Sequence, residues 1–431
     1  MKKQMDVLVV GFALFSMFFG AGNLLFPPYL GLVSGSSWLT SLAGFLLSDV
    51  GLSLLVILAA VRRGGKLENI LCRAGNKFGL LIGSAAVLCV GPLLAIPRTS
   101  ATTYEMGIQP LLNTSGTLAS VIGSIVFFVL TLVLTIRPSK VVDIVGKALT
   151  PLLIISLVVL IIVGIINPIG GLSNEILVNN NLFAEGISQG YLTMDALGAG
   201  VFAGIIINAI VDKGYDSKEE KTKLTIQSGM VAGAALMVIY GGLTYLGATL
   251  STKFGIDTPQ AMLMVEITSA LLGNTGKIVL CIIVTLACLT TSIGLTSAAG
   301  EYFSNLSNGK IKYETIVVAV CVFSTIVSSF GVGPIIKISA PILEVVYPVL
   351  IALVILSFTC SNIKNDNIFK FSAYATLIAS ILTVSNGLWG VAPFMSKLPL
   401  ASFGFNWVLP AIIGAVVGYF VKSKEESSSV E

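Results

Sequence analysis

Histidine is missing from all 431 residues. That absence removes imidazole proton relays, Ser-His-Asp triads and most zinc chemistry together. Charge is nearly as scarce: Asp, Glu, Lys and Arg make up 11% of the chain, against 55% hydrophobic residues. A soluble domain carries roughly a quarter of its residues charged. A water-facing surface cannot be built from so little, so the chain reads as an all-α integral membrane protein. The net charge of +4 is spread through loops rather than gathered in a patch, which argues against a nucleic-acid partner. Six cysteines contain no CxxC, and Cys281 and Cys288 are two helical turns apart, too far for a disulfide. Five of them read as apolar core and Cys72 as a reduced loop thiol.

Runs of roughly 20 apolar residues suffice to cross a bilayer. Twelve are expected, at about 7–33, 39–61, 78–104, 117–136, 148–167, 191–211, 225–250, 276–301, 314–332, 335–359, 368–389 and 405–422. The first run is too long for a signal peptide and lacks a small-residue cleavage site. Lys2 and Lys3, with the segments 62–77, 137–147, 213–223, 310–312, 364–370 and 422–424, hold 20 of the 25 Lys and Arg. Only Arg98, Lys253, Lys277, Lys337 and Lys397 lie elsewhere. By the positive-inside rule both termini are cytoplasmic and the Lys- and Arg-free stretch 167–190 is external. The expected organisation is one transmembrane domain over 1–422 and a short polar cytoplasmic tail at 423–431.

The first span carries its own contradiction. Its middle reads FSMFFGAGNLLFPPYLG, where Gly20, Gly22, Asn23, Pro27 and Pro28 weaken or stop a helix. YLTMDALGAGVFAG in the sixth span repeats the pattern, with Gly198, Gly200 and Gly204 around Asp195. Five crossings separate the two, so the second copy runs through the membrane upside down. Paired broken helices in inverted halves point to a transporter's binding site. In hydrocarbon an unpaired N–H or C=O costs several kcal/mol, so irregular backbone survives where it lines a cavity or binds something. A half-helix N-terminus suits a carboxylate. Free carbonyls, with Asn and Thr oxygens, suit a hard cation. Gly204 reads instead as a close-packing residue. The eighth span adds Thr290, Thr291 and Ser292; membrane threonines also commonly bond back to the preceding turn.

FFGAGNLLFPPYLGL (18–32), GPLLAIPRTSATTYE (91–105), GYLTMDALGAGVF (190–202) and ACLTTSIGLT (287–296) together resemble the branched-chain amino acid carrier family of cation symporters. The resemblance covers essentially the whole chain. It implies the five-plus-five inverted repeat of the leucine-transporter-like superfamily, with discontinuous helices one and six and two further C-terminal helices. The repeats would be about 7–167 and 191–359, and the extra helices about 368–422. It further implies import of leucine, isoleucine and valine across a bacterial cell membrane, coupled to Na+ or, in some members, to protons.

Residue by residue, the resemblance gives the amides of Ala21 and Gly22 to the substrate carboxylate, with Asn23, Gly198 and Ala199 beside it. Asn23 and Thr193 would supply oxygens to a first cation. Ala287, Thr290 and Thr291, faced by Ser16 and Phe19, would form a second sodium site. Related sodium symporters place an arginine shortly after the Asn, and here Leu24-Leu25-Phe26 stands instead. Arg98 or Glu344 would substitute as a gate, or else neutralise a local carbonyl.

Asp195 is a functional candidate by its depth, as cation ligand, proton carrier, ammonium partner or half-helix cap. Asp49 and Glu105 read as span-end or packed polar contacts. A channel would need a polar filter, and an enzyme a nucleophile–base pair, neither of which the sequence offers. No cofactor and no obligatory protein partner is expected beyond lipid and a neutral amino acid. A proton-coupled or differently specific neutral amino acid transporter stays open as an alternative, and an ion channel as a remote one.

Overall fold

The computed structural model describes residues 2–65, 67–114, 116–136, 150–179, 181–360, 363 and 365–421. The expected tail, and Lys66, Arg137, Lys140, Lys147, Lys364, Lys422 and Lys424 of the charge pattern, lie outside the described residues. The described residues form helices and turns, with no strand among them. Among the described residues, seven helical runs are long and apolar enough to cross a bilayer, or eight with one bent pair included. Three shorter apolar helices, Thr150–Ile166, Tyr313–Ser328 and Val408–Phe420, accompany them.

The first helical run is interrupted as its glycines suggest. Helix Lys2–Phe18 stops, Gly20 is extended at φ −123° and ψ −156°, and helix Ala21–Ser34 restarts. The proline pair, in contrast, does not stop the chain. Pro27 and Pro28 lie inside Ala21–Ser34, where their missing N–H groups leave the carbonyls of Asn23 and Leu24 without their usual helical donors. Helix Trp38–Leu46 continues into Leu52–Arg62 through a π-type turn, Leu47–Gly51, that carries Asp49. A further interruption, which the sequence reading did not anticipate, falls at Gly91 (φ −92°, ψ −130°) beside Pro92. It separates Asn76–Leu88 from Ala95–Thr102, the helix that bears Arg98.

The sixth span starts earlier than expected and breaks elsewhere. Helix Leu182–Thr193 occupies the end of the stretch read as an external loop, Met194 is left-handed at φ 69°, and Asp195–Val211 follows at a bend of 42°. Gly198 and Gly200 are therefore helical residues. A left-handed methionine is an uncommon solution that favours no apolar side chain by itself. Asn181 opens the first of these helices by accepting from the Phe183 amide, a side-chain cap that the sequence carries in plain view. Helix Gln260–Leu306 likewise extends upstream of the expected eighth span, with a kink at Gly273, φ 61°.

Two pairs of glycines set how helices Ala21–Ser34 and Leu182–Thr193 pack. A Cβ on Gly31 would overlap the Thr244 carbonyl, and one on Gly247 would overlap Pro28, so helices Ala21–Ser34 and Lys218–Ala248 touch backbone to backbone. Gly44 and Gly186 do the same for helices Trp38–Leu46 and Leu182–Thr193, against Phe183 and Ser41. Small residues allow this approach in a membrane, where dispersion rather than water expulsion holds helices together.

Candidate functional site

The two interruptions meet. The Asn23 carboxamide accepts the Gly20 amide on Oδ1 at 2.9 Å, tying the chain across its own break. A backbone N–H can only donate, so this contact fixes which end of the carboxamide is oxygen. Nδ2 therefore faces the core, where it donates to Asp195 Oδ2 at 2.9 Å and to the hydroxyl of Tyr240. Asn23 thus offers a nitrogen, not the oxygen expected of a cation ligand, to this side.

Asp195 starts its helix directly after Met194, and Thr193 ends the preceding one. The Thr193 hydroxyl lies 2.6 Å from Asp49 Oδ1 and 2.7 Å from the Gly190 carbonyl, and its oxygen receives the Asp195 amide at 3.3 Å. Asp49 itself is 1% exposed, against 8% for Asp195. Its Oδ2 is buried without a hydrogen-bond donor. Of the two readings for Asp49, span end or packed polar contact, the second is the one its bond to Thr193 describes, and it joins the residue to the site. An unwound stretch in helix one, a π-type turn and a half-helix start bring Asn23, Asp49, Thr193 and Asp195 together. Burial of so many polar groups is tolerable because nearly all of them bond to one another.

Arg98 supplies the opposite charge. Its Nη1 donates to the Leu192 carbonyl at 2.5 Å and Nη2 to the Thr193 carbonyl at 3.1 Å. These are last-turn carbonyls of helix Leu182–Thr193, where a cation is favoured by the helix dipole and by the unpaired C=O groups. Of the two readings for Arg98, neutralising local carbonyls is the one its contacts describe. Its guanidinium also lies 5.4 Å over the Phe26 ring. Glu344, the other gate candidate, is exposed on helix Val332–Thr359.

A small enclosed cavity opens between the breaks. Gly20, Ala21 and Gly22 line it beside Arg98, Asp195 and Gly198. Its apolar wall comes from Met17, Phe18, Val90, Phe202 and Leu295. Ala21 and Gly22 are first-turn residues, and helix geometry leaves their amides without intrahelical acceptors. The Gly198 amide, by contrast, is spent on the Met194 carbonyl at 2.9 Å, and Ala199 is fully buried without lining the cavity. The first-turn amides of the second half-helix lie upstream of Gly198, and that of Asp195 is already given to the Thr193 hydroxyl.

Helix Gln260–Leu306 reaches the same break from the other side. Thr291 Oγ1 lies 3.5 Å from the Phe19 carbonyl, while Thr290 Oγ1 is bonded back to the Ala287 carbonyl at 2.9 Å. Ser16 is buried in the last turn of Lys2–Phe18. The expected second-site residues of the two helices are thus brought together through Thr291 and Phe19. Thr290 adopts the local back-bond that membrane threonines commonly use.

Interrupted helices crossing at a buried, partly polar cavity define a membrane transporter fold. Solved structures agree on the fold. One is Mhp1, a nucleobase-cation-symport-1 family transporter in a closed conformation (TM-score 0.62, 14% identity, covering 98% of this chain and 95% of that one). Another is a Na+-coupled sialic acid symporter (TM-score 0.65, 12% identity, 96% and 90%). The branched-chain amino acid transport protein family model matches residues 3–425, and the chain belongs to that family. The Bacillus subtilis (strain 168) branched-chain amino acid permeases BraB and BrnQ are 38% and 36% identical to it, over 423 and 428 residues. Each alignment covers 96% of this chain, with 95% of BraB and 96% of BrnQ. A putative branched-chain amino acid carrier of Staphylococcus aureus (strain USA300) is 38% identical over 429 residues, covering 96% of both chains. The chain is a transport protein and not an enzyme.

Proposed function

We propose that the chain imports leucine, isoleucine and valine by cation symport, with Na+ as the coupling ion. The observation that carries the reading is the junction of the two interrupted helices at Asn23 and Asp195, beside free amides and an apolar wall. The substrate carboxylate takes the Ala21 and Gly22 amides, where the half-helix dipole is positive. The ammonium faces Asp195 and Asp49, which with Arg98 carry one more negative than positive charge when ionised. The aliphatic side chain packs on Phe18, Val90 and Phe202. A pocket of this kind separates substrates that differ by one methylene by only about 1–3 kcal/mol, so the three amino acids compete.

Sodium takes the carbonyls of Ser16, Phe19 and Ala287 and the hydroxyls of Thr290 and Thr291. The family architecture of twelve spans, an inverted five-plus-five repeat and two extra helices goes with this reading, as do cytoplasmic termini in a bacterial cell membrane. Proton coupling is the second reading. It is favoured by Asp49, a fully buried carboxylate that takes the Thr193 hydroxyl and lies close to a second carboxylate, Asp195.

Uptake of labelled leucine into proteoliposomes, with Na+ and pH gradients imposed separately, tests both. Leucine is a zwitterion, so each cation entering with it moves one charge, worth about 2.3 kcal/mol per 100 mV. An inside-negative potential should accelerate uptake. Indifference to Na+, to pH and to potential together rejects symport.

A further inference from the structure

A second feature of the molecule lies on its exterior, away from the transport site. Helices Leu52–Arg62 and Lys218–Ala248 run side by side, with a groove between them. At one end the groove is lined by Arg62, Arg63, Lys218 and Lys223, with Glu219 the sole acid among the lining residues. Thr222, Gln227 and Ser357 add neutral hydrogen-bonding groups there. Arg62 is held over the Phe358 ring, 5.1 Å from its centroid, which keeps the guanidinium at the groove mouth.

Further along, the lining becomes wholly apolar apart from Thr225: Leu54, Leu55 and Leu58 on one wall, Ile226 and Met230 on the other. Ile226 lines both parts, so the basic mouth and the apolar trough are continuous. Gly51 and Gly229 omit side chains where the trough is cut. The two walls agree in depth when each is measured from its innermost basic residue. At a rise of about 1.5 Å per residue, Arg62 to Leu55 and Lys223 to Met230 each span about 10 Å. Both walls change from charge to hydrocarbon in the same direction. Leu55, Ile226 and Met230 remain exposed, Met230 by 68%, in a protein whose apolar exterior faces a bilayer.

We propose that this groove binds one anionic phospholipid, with its headgroup among Arg62, Arg63, Lys218 and Lys223 and an acyl chain along Leu55, Ile226 and Met230. The charge balance selects an anionic headgroup over a zwitterionic one, and the trough selects a chain-bearing ligand over free phosphate. The site is independent of what the protein transports and of which ion drives it.

The test is native mass spectrometry of the detergent-purified full chain, offered equal phosphatidylglycerol and phosphatidylcholine with identical acyl chains. One retained phosphatidylglycerol is expected, at least tenfold preferred. Arg62→Gln, Lys218→Gln and Lys223→Gln should each weaken retention about fivefold, as for a basic residue near an anionic membrane surface. Lys253→Gln, beyond the far end of the same helix, should leave it unchanged. Ile226→Trp, which fills the junction, should lower retention of both lipids. Equal retention of the two lipids, full competition by soluble glycerol phosphate, or a triple glutamine variant that still prefers phosphatidylglycerol overturns the proposal.

Discussion

Asn23 donates to Asp195 across 172 residues of sequence at 2.9 Å, and this bond ties the first broken helix directly to the second. The same carboxamide accepts the Gly20 amide, so the chain's own break and the contact between halves depend on one side chain. Asn23→Leu therefore removes both. A hydrogen bond to a charged group is worth about 1.5–3 kcal/mol, which predicts a ten- to hundredfold fall in leucine kcat/KM. Asn23→Asp should do worse, because it adds a third carboxylate beside two. Transport assays on membrane-verified variants measure both, and parent-like uptake by Asn23→Asp would contradict the assigned geometry.

Thr291, not Thr290, reaches the first break, so the two are expected to differ. Thr291→Val should raise the Na+ half-saturation about five- to a hundredfold, the cost of one lost ligand at roughly 1–3 kcal/mol. Thr290→Val should have the smaller effect, since its hydroxyl already serves the Ala287 carbonyl. Leucine affinity at saturating Na+ should hardly move, and at low Na+ it should fall through linkage. Thr296 Oγ1 is buried without a partner, so Thr296→Val serves as a silent control. Sodium titration of uptake decides, and unchanged dependence in Thr291→Val removes the site.

Arg98 holds two carbonyls that otherwise have no donor at the end of Leu182–Thr193. Arg98→Met should lower stability by about 1–3 kcal/mol for each carbonyl left bare. Arg98→Lys should fall between, because an ammonium keeps the charge but lacks the planar fork. Thermal midpoints in detergent give the order, and equal midpoints for lysine and methionine would exclude the forked contact as the stabilising feature.

Orientation is accessible to impermeant thiol labelling. Glu175 and Asp216 are both exposed and sit in connections on opposite sides of the helix pair 182–211. In a background without native cysteine, Glu175→Cys should react from outside the cell and Asp216→Cys should not. The reverse pattern would invert the topology.

The sequence was informative where its signal was local. GAGN marked the first interruption because glycine and asparagine weaken a helix whatever surrounds them. In the sixth span the sequence points to Gly198 and Gly200, yet the chain turns at Met194, where Arg98 takes the Leu192 and Thr193 carbonyls. Those contacts come from a helix nearly a hundred residues earlier and leave no local trace. Helix Leu182–Thr193 was hidden because its first residues, LFAEGISQG, are too polar to resemble a span. Asp49 sits within the apolar run LLSDVGLSLL, where the sequence alone does not separate a span-end residue from a packed polar contact. The rule that an intramembrane acid marks a functional site, applied to Asp195, would have found Asp49 as well. Pro27 and Pro28 misled in the other direction, since a helix in a membrane tolerates proline when neighbours satisfy the freed carbonyls.

The glycine contacts of helices Ala21–Ser34 and Leu182–Thr193 have a mechanical meaning. Gly31 with Gly247, and Gly44 with Gly186, bring four backbones so close that no layer of side chains remains to slide or re-rotamer between them. A junction without side chains has no soft degrees of freedom, and a packed interior responds to load by moving as a body rather than by shearing. Ala21–Ser34 is thus keyed to Lys218–Ala248, and Leu182–Thr193 to Trp38–Leu46, as two stiff struts. Whatever admits a solute from that face has to hinge at the strut ends, at Gly20 and Met194, or travel through helices that still carry side chains at their seams.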